Sequence, residues 1–162
     1  MLRNLALALA LGRLLLPAWG AADLSDPAAA FGLPAADPIA LEVLLDREEV
    51  RPGSTFRAAV VLAMDPGWHA YANPKGPGIG EATVVAGRDR DGFTFSPARY
   101  LPGKKKVADY DPKDWVWAYE GSVPVFLEVA VAPGVAPGAY TLVIDVSAMA
   151  CKESCLPLIK EL

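Results

Sequence analysis

Cys151 and Cys155 are the only two cysteines of the chain, and three residues separate them. Two thiols this close can staple a fold, exchange a disulfide with another protein, or bind a soft metal ion. In one extended strand their α-carbons would be ~13 Å apart, whereas a disulfide needs roughly 4.4 to 6.8 Å. The spacing therefore predicts a hairpin loop at Lys152–Ser154, with the cysteines facing each other on antiparallel strands about 5.5 Å apart.

The compartment decides which chemistry a cysteine pair favours, and residues 1–22 resemble a secretory signal peptide. Arg3 precedes the apolar run Leu5–Leu11, and small residues at Gly20 and Ala22 provide cleavage sites. The apolar stretch is shorter than the ~20 residues a spanning helix needs, and Arg13 interrupts it. We therefore expect export to the periplasm or another extracytoplasmic compartment, where disulfides persist, without membrane insertion after cleavage.

Composition and charge limit the partners of the chain. The 162 residues carry a formal net charge of −4, and loss of Arg3 and Arg13 with the signal peptide makes it about −6. An acidic chain has no electrostatic footprint for nucleic acid, and we expect Lys104–Lys106 to be a solvated loop. The length predicts one domain over residues 39–162, preceded by an Ala/Pro-rich leader over residues 23–38.

The domain region consists of short apolar runs separated by Pro/Gly turns such as Asp65-Pro66-Gly67. Because convincing amphipathic helices are absent from the pattern, an all-β, immunoglobulin-like β-sandwich is predicted and a thioredoxin fold is disfavoured. The predicted strands are Ala40–Leu45, Thr55–Met64, Trp68–Tyr71, Ala82–Val85, Phe93–Phe95, Trp115–Tyr119, Val123–Val131 and Tyr140–Ala148.

Three motifs occur in order: Gly67-Trp68-His69-Ala70-Tyr71-Ala72-Asn73-Pro74, then Tyr119-Glu120-Gly121, then Cys151-x-x-x-Cys155-Leu156-Pro157. Together they resemble the N-terminal periplasmic, disulfide-corrector type domain of the thiol:disulfide interchange protein DsbD family. The resemblance covers residues 38–157. It implies an immunoglobulin-like domain whose cysteine pair passes electrons from a thioredoxin-like donor, fed by a membrane-embedded electron-transfer domain, to oxidised extracytoplasmic proteins.

The resemblance also implies roles for individual residues and no cofactor or metal. Cys151 and Cys155 would be the redox pair, with Cys155 joined to the partner and Cys151 resolving the mixed disulfide. The active-site vicinity would contain His69, Tyr71 and Tyr119. A cap loop would shield the thiols, with Tyr100, Tyr110, Trp115 and Trp117 as its candidates. The strand expected after Cys155 is only begun by Leu158–Leu162, so we expect either a fragment of a larger membrane reductase or a stand-alone copy.

Two alternatives stay open on the residues alone. Cys151, Cys155, Met149 and His69 are a soft-ligand set of the kind that Cu(I) selects, which would make the chain a copper-binding or copper-delivery domain. The cysteine pair could equally be an inert staple in a structural or partner-binding sandwich. The small ring limits stabilisation through chain entropy, so the spacing favours exchange over stapling.

Overall fold

A computed structural model of the chain describes residues 37–108 and 111–162. These residues form ten β-strands and no helix, so none of the described residues belongs to a helix that could cross a membrane. The predicted signal peptide and almost all of the predicted leader lie outside the described residues. The strands are β1 (Ile39–Leu45), β2 (Thr55–Met64), β3 (His69–Tyr71), β4 (Val84–Gly87), β5 (Phe93–Phe95), β6 (Lys104–Ala108), β7 (Asp111–Tyr119), β8 (Ser122–Val131), β9 (Ile144–Cys151) and β10 (Cys155–Glu161).

The strands form two antiparallel sheets that pack face to face. The four-stranded sheet has the order β1-β2-β8-β5, and the six-stranded sheet has the order β10-β9-β3-β7-β6, with β4 also paired to β9. The chain passes repeatedly between the sheets, so strands distant in sequence become neighbours, as β2 and β8 do. The predicted all-β, immunoglobulin-like sandwich is confirmed.

The core follows from the two-residue period of the strands. On β2 the side chains of Phe56, Ala58, Val60, Leu62 and Met64 are buried, while those between them are more exposed. The same alternation on β8 and β9 supplies the rest of the inner faces. Because successive side chains point to opposite faces, one apolar face of each sheet suffices to build the core.

The prediction that Lys104–Lys106 is a loop was wrong, because these residues begin strand β6 at an edge of the six-stranded sheet. Lysines are frequent on edge strands, since they stay solvated and discourage pairing with another chain. The strand containing the second cysteine is also longer than expected and runs from Cys155 to Glu161. The preceding strand begins at Ile144 rather than Tyr140 and continues through Cys151.

Candidate disulfide-exchange site

The two cysteines end one strand and begin the next. Cys151 and Cys155 are register partners in the β9–β10 hairpin and are joined by a disulfide, as the spacing predicted. Their α-carbons are 4.1 Å apart, closer to the narrow pairs of an antiparallel ladder at about 4.5 Å than to the expected wide pairs. The Lys152 N–H donates a 3.0 Å hydrogen bond to the Ser154 carbonyl and closes the loop.

The two cysteines differ in exposure although both lie on the outer face of the six-stranded sheet. On β9, Ile144, Val146, Ala148 and Ala150 point into the core, so Cys151 has the opposite orientation. Cys151 is nevertheless only 3% exposed, whereas Cys155 is exposed. An incoming thiol therefore has access to the Cys155 side of the disulfide, and Cys151 is shielded.

A tight turn positions β3 beside the disulfide. Gly67 has φ +83°, which glycine adopts without the steric cost of a side chain, and the Trp68 N–H donates to the Asp65 carbonyl at 2.9 Å. The strand that follows places His69 directly opposite Cys151 in the ladder. Tyr71 lies on the same face two residues later, and the two rings have centroids 6.0 Å apart. The structure thus brings both predicted side chains to the cysteine pair.

The hydroxyl of Tyr71 lies 3.7 Å from the Cys155 sulfur. A disulfide sulfur carries no proton, so the hydroxyl is the donor in this oxidised state. After reduction the same hydroxyl is placed to donate to a Cys155 thiolate, which would favour the charged form of the thiol. The contact falls on the exposed cysteine of the pair.

The surroundings of His69 disfavour the protonated form of its imidazole. Burial lowers the pKa of its imidazole below the ordinary value of 6.5, the positive charge of Lys106 lowers it further, and Glu120 opposes the shift. Its Nδ1 atom is buried and has no hydrogen-bond partner among the described residues. A neutral imidazole beside Cys151 can take up a proton but supplies no fixed positive charge.

Glu120 is the carboxylate whose charge raises the pKa of His69. Its Oε1 atom lies 2.8 Å from the Lys106 ammonium, and its Oε2 atom lies 3.5 Å from that of Lys104. The hydrogen bond and charge of Lys106 lower the pKa of Glu120 below its ordinary value, with a smaller contribution from Lys104. The side of the site next to His69 therefore carries two ammonium groups that share one carboxylate, which leaves a net positive charge there.

The structure does not bring Tyr119 to the disulfide. Its register partner Ala70 points into the core, and Tyr119 is 2% exposed there. Its hydroxyl donates to the Leu101 carbonyl at 2.8 Å and accepts from the Asn73 N–H at 3.4 Å. Burial raises the pKa of this phenol, so Tyr119 is a neutral structural residue beneath the sheet.

The four cap candidates have other partners or lie outside the described residues. Tyr100 packs against the core, and its hydroxyl accepts from the Val85 N–H at 2.9 Å. Trp115 and Trp117 contact each other edge to face at 5.4 Å. None of the hydrogen bonds or ring contacts of these three described residues involves a cysteine. Tyr110 is not among the described residues.

A segment that the sequence analysis did not assign to the site lies against Tyr71. Residues 76–80, which contain Gly76, Gly78 and Gly80, are here called the glycine loop. The three glycines lie so close to the sheet that a Cβ atom added to any of them would collide with a neighbouring residue. A Cβ atom on Gly80 would come within 2.1 Å of the Tyr71 ring, and one on Gly76 within 2.7 Å of Trp115. The alternating glycines were the available indication, since close backbone approach is one reason for glycine.

Backbone hydrogen bonds fasten the glycine loop to β7. The Gly78 N–H donates to the Trp115 carbonyl at 3.0 Å, and the Trp117 N–H donates to the Lys75 carbonyl at 2.6 Å. The ammonium of Lys75 donates to the carbonyls of Gly76 and Gly78. The loop therefore provides a fixed wall against which the Tyr71 ring rests.

Metal binding was the alternative that the soft ligands raised. Met149 shares the outer face with Cys151, and His69 is the register partner of Cys151. No group of three or more His, Cys, Asp or Glu residues able to hold a metal ion occurs within residues 37–108 and 111–162. Copper binding stays an untested alternative.

Comparisons with known proteins add little to the geometry. No family model matches the chain, and no curated protein matches it. One similar solved structure is the crystal structure of the yeast GGA1 GAE domain, with 11% sequence identity and a TM-score of 0.43 over 80% of this chain and 93% of that chain. At that level of similarity the match carries no argument about function.

Proposed function

We propose that this chain is an extracytoplasmic thiol:disulfide exchange domain that passes electrons through the Cys151–Cys155 pair. The observation that carries the proposal is the asymmetry of the disulfide: Cys155 is exposed and contacts the Tyr71 hydroxyl, while Cys151 is buried. The resemblance to the DsbD family, the signal-like N-terminus and the fold support the same proposal. The partners would be thioredoxin-like proteins and a membrane-embedded electron-transfer domain.

The exchange follows the usual thiolate chemistry. A partner thiolate attacks the Cys155 sulfur, the Cys151–Cys155 bond breaks, and Cys151 leaves as a thiolate that takes up a proton. The second thiolate of the partner then attacks the mixed disulfide and releases Cys155 as a thiolate. Two electrons have moved to this chain, and the partner has become oxidised. The reverse sequence reduces an oxidised protein.

The disulfide stabilises the fold less than a disulfide that closes a longer loop would. It closes a ring of five residues, for which the loop-entropy relation gives about 2 kcal/mol, against about 3 kcal/mol for a 15-residue loop. The β9–β10 ladder already holds the two chains together from Cys151 to Asp145 on one strand and Cys155 to Glu161 on the other. Reduction can therefore occur without loss of the hairpin.

The order of events predicts which cysteine variant traps a partner. Reduced Cys151→Ala keeps the exposed Cys155 thiol but cannot resolve a mixed disulfide, so it should accumulate a covalent complex with an oxidised thioredoxin-like protein. Reduced Cys155→Ala keeps only the shielded thiol and should accumulate little. Non-reducing gel electrophoresis after alkylation separates the complex from both free proteins.

The same experiment identifies the alternatives. A complex with Cys155→Ala alone would reverse the two roles, and a complex with neither variant would return the pair to a structural role. Titration of the reduced protein with Cu(I), compared with Cys151→Ala/Cys155→Ala, tests the copper alternative separately.

A further inference from the structure

The outer face of the six-stranded sheet continues from the disulfide as a series of rows across the strands. Cys155, Cys151 and His69 form the first row. Pro157 and Met149 are register partners in the second row. Ile159 and Val84 are both paired with Ser147, so they form a third row on either side of it. All of these side chains share one face, because the period of a strand is two residues.

The second and third rows are predominantly apolar and open to solvent. Ile159 is 80% exposed, Val84 is 45% exposed, and Pro157 is also exposed. Met149, Pro157, Ile159 and Val84 are here called the apolar strip. Single exposed apolar residues are ordinary on a protein surface, whereas a group of them on one face marks an interaction surface.

A charged group bounds the apolar strip at its far end. The guanidinium of Arg88 lies 2.6 Å from an Asp145 carboxylate oxygen and 2.8 Å from one of Glu161. Asp145 and Glu161 are register partners in the row after Ile159. The strip is therefore enclosed by the disulfide at one end and by an ion-pair cluster at the other.

We propose that the apolar strip is the surface on which the thioredoxin-like exchange partner docks, an inference that rests on the proposed function. A mixed disulfide fixes the two sulfur atoms at about 2.0 Å, so the surface around the partner's cysteine must cover what flanks Cys155. A standard interface of about 800 Å² per partner extends roughly 16 Å from its centre. Ile159 follows Cys155 by four residues on one strand, about 13 Å, and falls inside that radius.

The apolar strip also specifies the chemistry of the partner. The partner should present a flat apolar surface beside its reactive cysteine, because polar groups placed on Ile159 and Val84 would lose their hydration without gaining hydrogen bonds. Burial of this apolar area would occur only in the complex with a protein. A small thiol reagent reaches Cys155 without covering the strip.

The variant Val84→Gln/Ile159→Gln tests the proposal, because it replaces two exposed apolar side chains without changing the net charge. The probe is reduced thioredoxin, and the measured quantity is the second-order rate constant for reduction of the Cys151–Cys155 disulfide. We expect that rate constant to fall about tenfold. The rate with dithiothreitol should change less than twofold, since that reagent does not need the strip.

The matched control is Leu44→Gln/Phe126→Gln. Leu44 and Phe126 are 48% and 39% exposed, and both are paired with Ala59 on the outer face of the four-stranded sheet. This control should be reduced by thioredoxin at the wild-type rate. An equal loss in both variants would show a general effect of exposed apolar side chains and would overturn the proposal.

Four other outcomes would also overturn it. A wild-type rate for Val84→Gln/Ile159→Gln, with Cys151→Ala still trapping the partner, would remove the docking surface and leave the proposed function intact. A parallel loss with thioredoxin and dithiothreitol would show that the sulfur itself had changed. A wild-type dimer in sedimentation that the variant abolishes would assign the strip to a second copy of this chain. Failure of thioredoxin to reduce the wild type, with no trapped complex, would remove the proposed function as well.

Discussion

The outer faces of the two sheets have the same backbone pattern and different properties. On the four-stranded sheet, Leu44 and Phe126 remain exposed in one row, and Arg57 and Asp46 form an exposed ion pair. On the six-stranded sheet, Cys151 is only 3% exposed although it points away from the core. Strand periodicity decides which face a residue occupies, whereas the neighbours on that face decide whether the residue is accessible. The difference in accessibility, rather than the choice of face, creates the site.

The largest difference that we expect is between an inner and an outer face. Leu62→Ala removes a completely buried side chain and should lower the free energy of unfolding by about 2 to 5 kcal/mol. Leu44→Ala, on the outer face of the same sheet, should change it by about 0.5 kcal/mol or less. Urea denaturation followed by fluorescence gives both values. Similar losses would mean that Leu44 is covered in solution.

The glycine loop gives the next largest expected effect. In Gly80→Ala the new Cβ would lie 2.1 Å from the Tyr71 ring, and the backbone has φ +104°, so we expect about 1 to 3 kcal/mol of destabilisation. The displaced ring should also speed alkylation of reduced Cys155 by iodoacetamide. Gly121→Ala is the control, because Gly121 has φ +68° but no neighbouring atom within 4 Å. An unchanged alkylation rate in Gly80→Ala would separate the loop from the site.

The Tyr71 hydroxyl should have a smaller effect that is confined to the thiol chemistry. Tyr71→Phe keeps the ring but removes the donor 3.7 Å from the Cys155 sulfur, worth about 0.5 to 1.5 kcal/mol. The pKa of the reduced Cys155 thiol should therefore rise, which the pH dependence of alkylation measures. Tyr140→Phe is the control, since that hydroxyl donates to the Ala136 carbonyl. Equal alkylation profiles for wild type and Tyr71→Phe would exclude the hydrogen bond.

The smallest effect that we expect is a pH dependence from His69. Burial lowers the pKa of His69 in the folded state, so the unfolded chain binds more protons at this residue as the pH falls through 6.5. Stability should therefore decrease below that pH, and wild type should lose more than His69→Gln. Thermal unfolding of both proteins, measured between about pH 7.5 and about pH 5, gives the difference in stability loss between wild type and His69→Gln. Parallel curves would place the imidazole in solvent.

Much of the fold could be predicted from the sequence, because strand alternation and turn signals depend on residues that are close together in the chain. The alternation on β2 and β8 and the Pro/Gly turns predicted a sandwich, and the spacing of Cys151 and Cys155 predicted their hairpin. Strand β6 was missed because three consecutive lysines are typical of a solvated loop, and only its position at a sheet edge explains them.

The surroundings of the cysteine pair were harder to predict from the sequence, because they depend on pairing between strands that are far apart in the chain. Tyr119 was expected near the cysteines, but its pairing with Ala70 turns the ring into the core. Ile159 and Val84 come to lie in one row, on either side of Ser147, only because both pair with that residue. Register between strands so far apart in sequence is fixed by the packing of the whole sheet, which one sequence does not reveal.

The reduction potential of the Cys151–Cys155 pair tests most directly whether the disulfide is exchanged or structural. Equilibration with known ratios of reduced and oxidised thioredoxin, followed by acid quenching and alkylation, gives the fraction of each state. We expect both states to be populated at ratios around the thioredoxin potential of about −270 mV, since a carrier must accept and release electrons. A potential well below about −300 mV, with no reduced protein at any ratio, would contradict the exchange function and assign the pair to stabilisation of the hairpin.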